Sequence, residues 1–358
     1  MYKQTTDFNP LSLLKHNHKY NPSQSQTIKL GVSGNLGGHT RELCTGVYLA
    51  IEDWSVTSPL YSLEIVWAED VLEESTVSEA ANYLVQQGVQ AVIGHLASTE
   101  ALKAAPLYEK NKILYLAPAT SHPDITQQNY KHVLRFFGQD HHLANKMVEF
   151  SLKSLKSKNV TIIKQHNKHG NSLSQLLKCE LRKNDVSDIT EITWEEGDTR
   201  IPDYCEAILF AGTYQVGSKV IKELYRRGNK SPIVMADDAY ISEFPFLGGD
   251  AAEGVYVVST GHDPTHPQYP AFLERYHKHS GSQPGAYSIT SYIATKLLLS
   301  SLSERDVGCT DSLLKWFYSK SQLNNHLMGS LLFDDQNNLA NFPWAIYQVQ
   351  NGYFKKLR

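Results

Sequence analysis

The sequence predicts an α/β protein made of two doubly wound, Rossmann-like lobes, each built around a mostly parallel sheet. Three observations carry that expectation. The chain has 358 residues, beyond the size at which one hydrophobic core usually stops growing, so two domains are expected. From Thr27 onward, short β-branched or apolar runs alternate with patterns of helical period, the signature of parallel βαβ units. After Asp140 the alternation starts again, which implies a second, similar sheet.

The elements follow in order. Thr27 to Val32 is a strand, and Gly34, Gly37 and Gly38 form a turn. Leu43, Val47, Ile51 and Trp54 then share one helical face. Leu63 to Trp67 is the second strand, and Thr76 with Glu79 has capping-box spacing ahead of a helix that Gly88 terminates. Ala91 to Ile93 and Ile113 to Leu116 are strands, each followed by small hydroxyl residues, among them Ser98 and Ser121. In open parallel sheets ligands sit beyond the carboxyl ends of strands, where helix N-termini present N–H groups, and both serines occupy such positions.

The second set begins with a helix over 143–155, a strand Val160 to Ile163 and a helix Ser172 to Leu181. A strand Ala207 to Phe210, a helix Val216 to Arg227, a strand Ile233 to Met235 leading to Asp237 and Asp238, and a strand Val255 to Val258 follow. Helices near Tyr269 to His279 and Ser288 to Leu302 come next. Strand-like runs at Leu331 to Phe333, Ala345 to Val349 and Tyr353 to Leu357 close the chain.

Composition excludes several classes of partner. Lys plus Arg number 34 against 37 Asp plus Glu, for a net charge of −3. No positive excess exists to neutralise a nucleic-acid backbone or an anionic bilayer, so neither is an expected partner. No run of about 18 apolar residues occurs, so no membrane insertion is expected. Residues 1–26 are polar and turn-rich and are expected to form a flexible arm. They lack the basic start and roughly 7–15 apolar residues of a secretory signal. The four cysteines, Cys44, Cys179, Cys205 and Cys309, form no C-x-x-C pair and read as buried free thiols, with a disulfide left open.

One stretch is more specific. Gly88-Val-Gln-Ala-Val-Ile-Gly-His-Leu-Ala-Ser98 continues through Ala104, Ala105, Pro106 and Tyr108 to Leu116-Ala-Pro-Ala-Thr-Ser121. With Val133 to Asp140, Gly249 to Tyr256 and Gly285 to Ser288, in that order, it resembles the leucine/isoleucine/valine-binding family of type I periplasmic binding proteins, the substrate-binding subunits of ABC transporters. The resemblance covers Thr27 to the C-terminus. It implies a Venus-flytrap architecture in which two lobes, joined by a three-strand hinge, close on an amino acid or analogue. The implied segments are an arm at 1–26, lobe 1 at 27–138 and 262–331, and lobe 2 at 139–261 and 332–358.

The resemblance also implies contacts. Ser98 and Ser121, with Thr120 beside them and the carbonyl of Ala119, would hold the ligand's α-carboxylate and part of its ammonium. Asp238 would face the ammonium, and Tyr287 matches an aromatic lining the side-chain pocket. His169 stands where the family has tyrosine before glycine, and Thr213 replaces an aromatic with Tyr214 adjacent. The loop after the first strand lacks the family's tyrosine, leaving Gly38, His39 or Arg41 nearby. These departures point to a polar or larger ligand rather than a purely aliphatic one. Hydroxyls and N–H groups can neutralise a carboxylate in a dry cleft without a buried cation. From the residues alone, Ser98 and Ser121 read equally as N-caps, and Asp238 as a turn residue beside Asp237.

Expected partners are therefore the small-molecule ligand and the permease subunits of a transporter, with the protein a monomer in the periplasm, as the resemblance implies, and a cytoplasmic location left open by the absence of a visible signal peptide. No catalysis, cofactor or metal is expected. A ligand sensor of the same fold is the alternative, favoured slightly by the missing signal segment. Competing motifs are weak. Gly31-x-x-Gly34-x-x-Gly37, with Glu69 and Asp70 after the second strand, lacks the G-x-G-x-x-G spacing of a dinucleotide site. The histidine pairs His141/His142, His277/His279 and His262/His266 show no H-E-x-x-H, and Pro264 and Pro267 oppose a shared helix face for the last pair. There is no G-x-S-x-G elbow or phosphate-binding P-loop.

Overall fold

The computed structural model describes residues 10–14, 26–35, 37–57, 61–70, 78–197, 200–201, 203–304, 310–319 and 322–357. The chain divides into two compact units: unit 1 holds residues 1–138 and 262–342, unit 2 residues 139–261 and 343–358.

The first passage through unit 1 runs α1 (Pro10–Leu14), β1 (Gln26–Gly34), α2 (Gly38–Thr57), β2 (Tyr61–Glu69), α3 (Glu79–Gln86), β3 (Ala91–Ile93), α4 (Ser98–Lys110), β4 (Leu114–Ala117), α5 (Asp124–Gln127) and β5 (Val133–Arg135). In unit 2, α6 (Asp140–Glu149) is followed by a π-turn, then β6 (Val160–Lys164), α7 (Lys168–Lys183), β7 (Ile189–Thr193), β8 (Ala207–Ala211), α8 (Tyr214–Arg226), β9 (Ile233–Met235), α9 (Glu243–Gly248) and β10 (Tyr256–Thr260). The chain returns to unit 1 for α10 (Tyr269–Ser280), α11 (Ser288–Glu304), α12 (Thr310–Ser319), β11 (Gln322–His326) and β12 (Gly329–Leu332). It ends in unit 2 with β13 (Trp344–Gln350) and β14 (Tyr353–Lys356).

In unit 1 the five parallel strands lie in the order β2-β1-β3-β4-β5. In unit 2 the parallel strands lie in the order β10-β9-β8-β6-β7, and the antiparallel β13 and β14 extend the β10 edge. Read from β7, that is the same winding as in unit 1. Each sheet therefore reverses its order once, between β1 and β3 and between β6 and β8, the place where doubly wound sheets bind ligands.

The cores explain why these strands form. β3, β4, β5, β8 and β9 are buried along their whole length, as parallel strands covered on both faces must be. Val92, Leu84, Ala101, Ala105, Tyr108 and Tyr115 pack together in unit 1. Leu143, Met147, Ile162, Leu173, Leu177, Leu209 and Val234 do so in unit 2. Where α2 crosses α11, a Cβ on Gly46 would lie 2.5 Å from the carbonyl oxygen of Ser288, so only glycine allows this approach.

Several expectations need correction. The last chain exchange was expected near Ser330 to Asp334 and falls instead between Phe342 and Pro343. The apolar run at Leu331 is strand β12, which pairs with β11 in a small sheet of its own. Residues 337 and 338 stay tied to unit 1 through Arg135 N–H to Asn337 O at 2.9 Å and Thr126 Oγ1 to Asn338 Oδ1 at 2.7 Å. Within the expected flexible arm, Pro10–Leu14 is a helix lying against α2 with Leu14 buried; the rest of that arm, up to residue 25, lies outside the described residues. Ser78 is the cap of α3, accepting from Ala81 N–H, and Thr76 lies outside the described residues. Cys44 and Cys205 are free and buried, but Cys179 is free and exposed; Cys309 lies outside the described residues.

Candidate ligand-binding site

In unit 1 the expected contacts gather at the carboxyl ends of neighbouring strands β3 and β4. The turn after β3 is forced by Gly94, at φ +142°, where a Cβ would sit 2.3 Å from the carbonyl oxygen of Ser33. His95 then anchors the loop. Its Nδ1 lies 2.6 Å from Asp70 Oδ1, its Nε2 lies 2.8 Å from the Tyr108 hydroxyl, and its backbone N–H donates to the Tyr115 hydroxyl at 3.1 Å. Ser33 Oγ also donates to Asp70 Oδ1, at 2.6 Å. Burial pushes the Asp70 carboxyl up, but the charge and hydrogen bond of His95 and the bonds from Ser33 and the Leu96 N–H outweigh it and hold the group below its ordinary range. Asp70, part of the weak dinucleotide-like motif, is thus buried in this network.

Beyond that anchor, Ser98 is half-buried and is the first residue of α4, whose cap position is Ala97 with no side-chain bond. The N–H groups of Ser98 and Thr99 meet no acceptor among the described residues, as expected of an uncapped helix N-terminus. After β4, Ala119, Thr120 and Ser121 are buried. The Thr120 hydroxyl faces that of Tyr115 without the geometry of a hydrogen bond. The loop is clamped from below by Arg135, which is fully buried and donates to Ser121 O at 2.9 Å, Pro123 O at 3.1 Å and Thr126 Oγ1 at 2.9 Å. Helix α5 starts only at Asp124. Neither serine is therefore an N-cap, and the purely local reading of both fails.

Tyr287 precedes α11 and is buried. Its N–H donates to Glu42 Oε2 at 3.0 Å, and its ring meets those of His39 and Phe137 edge-on at 4.7 and 5.2 Å. Glu42 Oε2 also lies 3.3 Å from His39 Nδ1. Of the three residues expected near the first-strand loop, His39 is the one whose ring touches Tyr287.

In unit 2 the contacts gather at the carboxyl ends of β6, β8 and β9, again neighbours in the sheet. His169 lies in the first turn of α7, half-buried, and its buried Nε2 has no partner among the described residues. Thr213 caps α8 by position, while its own N–H and hydroxyl donate to Gln165 Oε1 at 2.9 and 3.1 Å. Asp238 lies in a 3₁₀ turn after β9, and its carboxylate accepts the N–H of Tyr214 at the start of α8. Its turn position and a charge on a helix N-terminus therefore coexist, and negative charge is favoured there.

A sequence profile of the periplasmic binding protein family matches residues 27–353. The chain belongs to the periplasmic binding protein family. The Leu/Ile/Val-binding protein of Escherichia coli K12 is 22% identical over 341 residues, covering 91% of this chain and 92% of its own. A leucine-binding protein from Thermotoga maritima superposes with a TM-score of 0.80 at 24% identity, over 92% of this chain and 98% of its own. The branched-chain amino acid transporter substrate-binding protein of Streptococcus pneumoniae, in complex with isoleucine, gives 0.81 at 17% identity with the same coverage. These superpositions show that this periplasmic binding protein has the type I fold.

Sequence reasoning missed three residues that shape the candidate site of this periplasmic binding protein. His95 and Arg135 stood inside the quoted blocks without a role, and the basic or polar residue amid an apolar run was the available signal. Gln165, one residue past β6, gave no signal beyond its place at a strand end. No described helix is long and apolar enough to cross a membrane, and among the described residues no group of three or more His, Cys, Asp or Glu could hold a metal.

Proposed function

We propose that this chain is the substrate-binding protein of an amino-acid ABC transporter, capturing a small α-amino acid or close analogue by closure of its two lobes. One observation carries the reading. At the switch point of one sheet stand neutral donors, the Ser98 and Ser121 hydroxyls and the open N–H groups of Ser98 and Thr99; in the equally wound second sheet the corresponding strand ends present the Asp238 carboxylate. Neutral donors suit a carboxylate, and an ionised carboxyl offsets the cost of desolvating an ammonium group. Ala119, Thr120, Tyr287, His169 and Thr213 complete the set. The names of the similar proteins, one a Leu/Ile/Val-binding protein and one solved with isoleucine, support amino-acid binding. The protein on this reading works as a monomer in the periplasm, hands its ligand to permease subunits and does no chemistry on it.

The test is a thermal-shift screen of the L-amino acids, their amides and related small molecules. A ligand at about 100 times its dissociation constant should stabilise the native state by roughly 2.7 kcal/mol. Asp238→Ala should abolish the shift for any amine-bearing hit. It should also cost the ligand-free protein about 0.5–2 kcal/mol, because the Tyr214 N–H loses its acceptor. A folded Asp238→Ala protein with an undiminished shift would overturn the assignment.

A further inference from the structure

The turn that leaves β6 holds a polar group that the assignments above leave unused. Gln165 follows β6 directly, at the switch point of the unit 2 sheet. The Thr213 N–H can only donate, so the side-chain atom it meets at 2.9 Å is the amide oxygen, and the Thr213 hydroxyl donates to the same atom at 3.1 Å. The side chain is packed in place. A Cβ on Gly212 would lie 2.8 Å from that of Gln165, and one on Gly170 would lie 2.3 Å from the Gln165 carbonyl oxygen. With Oε1 fixed inward on Thr213, the Nε2 amide directs two N–H groups away from it. No described residue accepts from Nε2, and the atom is not shut away from solvent.

A second observation comes from the same turn. The Gln165 carbonyl accepts the Asn167 N–H at 2.9 Å, Asn167 Oδ1 accepts the Gly170 N–H at 2.7 Å, and between them lies His169, whose buried Nε2 has no partner among the described residues. Buried polar atoms are rarely left unmatched without a reason. A buried, unmatched ring nitrogen and a solvent-facing amide donor in one turn, next to Thr213 at the end of the adjoining strand, describe a surface that suits a polar occupant.

We propose that Gln165 is a specificity-determining residue, and that its amide N–H selects ligands whose side group carries an acceptor oxygen, as an amide or hydroxyl does. This rests on the amino-acid reading above. A donor covered by an apolar side group loses its water without replacement, whereas an acceptor oxygen restores the bond. A site built to hydrogen-bond one group discriminates strongly against an analogue that lacks it. A methylene more or less in an apolar pocket discriminates far less.

The test is isothermal titration calorimetry with two near-isosteric pairs, L-threonine against L-valine and L-asparagine against L-leucine. The wild-type protein should favour the oxygen-bearing member of at least one pair by roughly tenfold or more. Gln165→Glu keeps an oxygen for Thr213 and replaces the outward donor with an acceptor; Gln165→Met removes the donor and, with it, the oxygen that holds Thr213. Both should erase the preference, read as the ratio of the two constants within each pair. A wild-type preference for the aliphatic members, or an oxygen preference that survives in both variants, overturns the inference and leaves the amino-acid reading standing. Binding of none of the four, nor of any other amino acid, would sink that reading and this inference with it.

Discussion

At the scale of single residues, the Asp70–His95 pair shows how a buried charge is made to work for a loop. Asp70 follows β2 and His95 follows β3; neither exposes more than 4% of its surface. The pair is tolerable only because Ser33, Tyr108, Tyr115 and the Leu96 N–H complete its bonds. Removing one member leaves the other stranded, which typically costs about 3–5 kcal/mol. His95→Leu is accordingly expected to lose stability of that order in urea unfolding, and its Ser98 loop should lose order with it. A loss below about 1 kcal/mol would mean that water or rearrangement satisfies Asp70. Such a network lies beyond single-sequence reading, since its members stand at positions 33, 70, 95, 108 and 115 and meet only when four strands assemble. The places of the two serines after β3 and β4 were legible because they stand beside strand ends inside a specific motif. The Asp238 carboxylate was legible as a charge but not as a cap, because the N–H it accepts belongs to another element.

Among the elements, legibility followed the length and purity of the apolar run, and the fully buried β5, Val-Leu-Arg, was too short and carried a charge. The inner strands read as short apolar runs because both faces are covered, and the long helices read by their period. Edge strand β7, Ile-Thr-Glu-Ile-Thr, carries little apolar signal and went unread, as did β5, β11 and α12. What holds β7 is partly polar. Glu191 Oε1 accepts from Ser174 Oγ at 2.6 Å and faces Lys164 Nζ at 3.0 Å, while Oε2 accepts from Lys178 Nζ at 2.8 Å. Partial burial pushes this carboxyl up, but the bonds from Lys178, Ser174 and Lys164 and the charge of Lys164 outweigh it and bring it down to about 2. A carboxyl lowered by folding binds fewer protons native than unfolded. Its contribution is present above about pH 4.5 and fades as the pH falls toward 2. The urea midpoint of the wild-type protein should fall more steeply than that of Glu191→Gln between those values, and high salt should narrow the difference because the group is only partly covered. Parallel curves would show that the cluster contributes nothing.

For the molecule as a whole, the informative fact is that one winding occurs twice. Each unit has its own core and its own switch point, and each is assembled from segments far apart in sequence. The repeat of the βα alternation made that legible. The final exchange at 342/343 was not, because β12 has the composition of a sheet strand but pairs with β11 instead. A ligand shifts a conformational equilibrium only by its differential affinity for the states, so closure follows if the ligand bonds to both units at once. That requirement can be read in amide hydrogen exchange. With saturating ligand, the N–H groups of Ser98 and Thr99, which meet no acceptor among the described residues, should exchange more slowly. Protection should rise in parallel at Tyr214 and in the turn holding Asp238, and the radius of gyration should shrink in small-angle scattering. Protection at 98–99 without any change at 213–238 would mean that one unit holds the ligand alone, and ligand binding would then have no means of driving the chain shut.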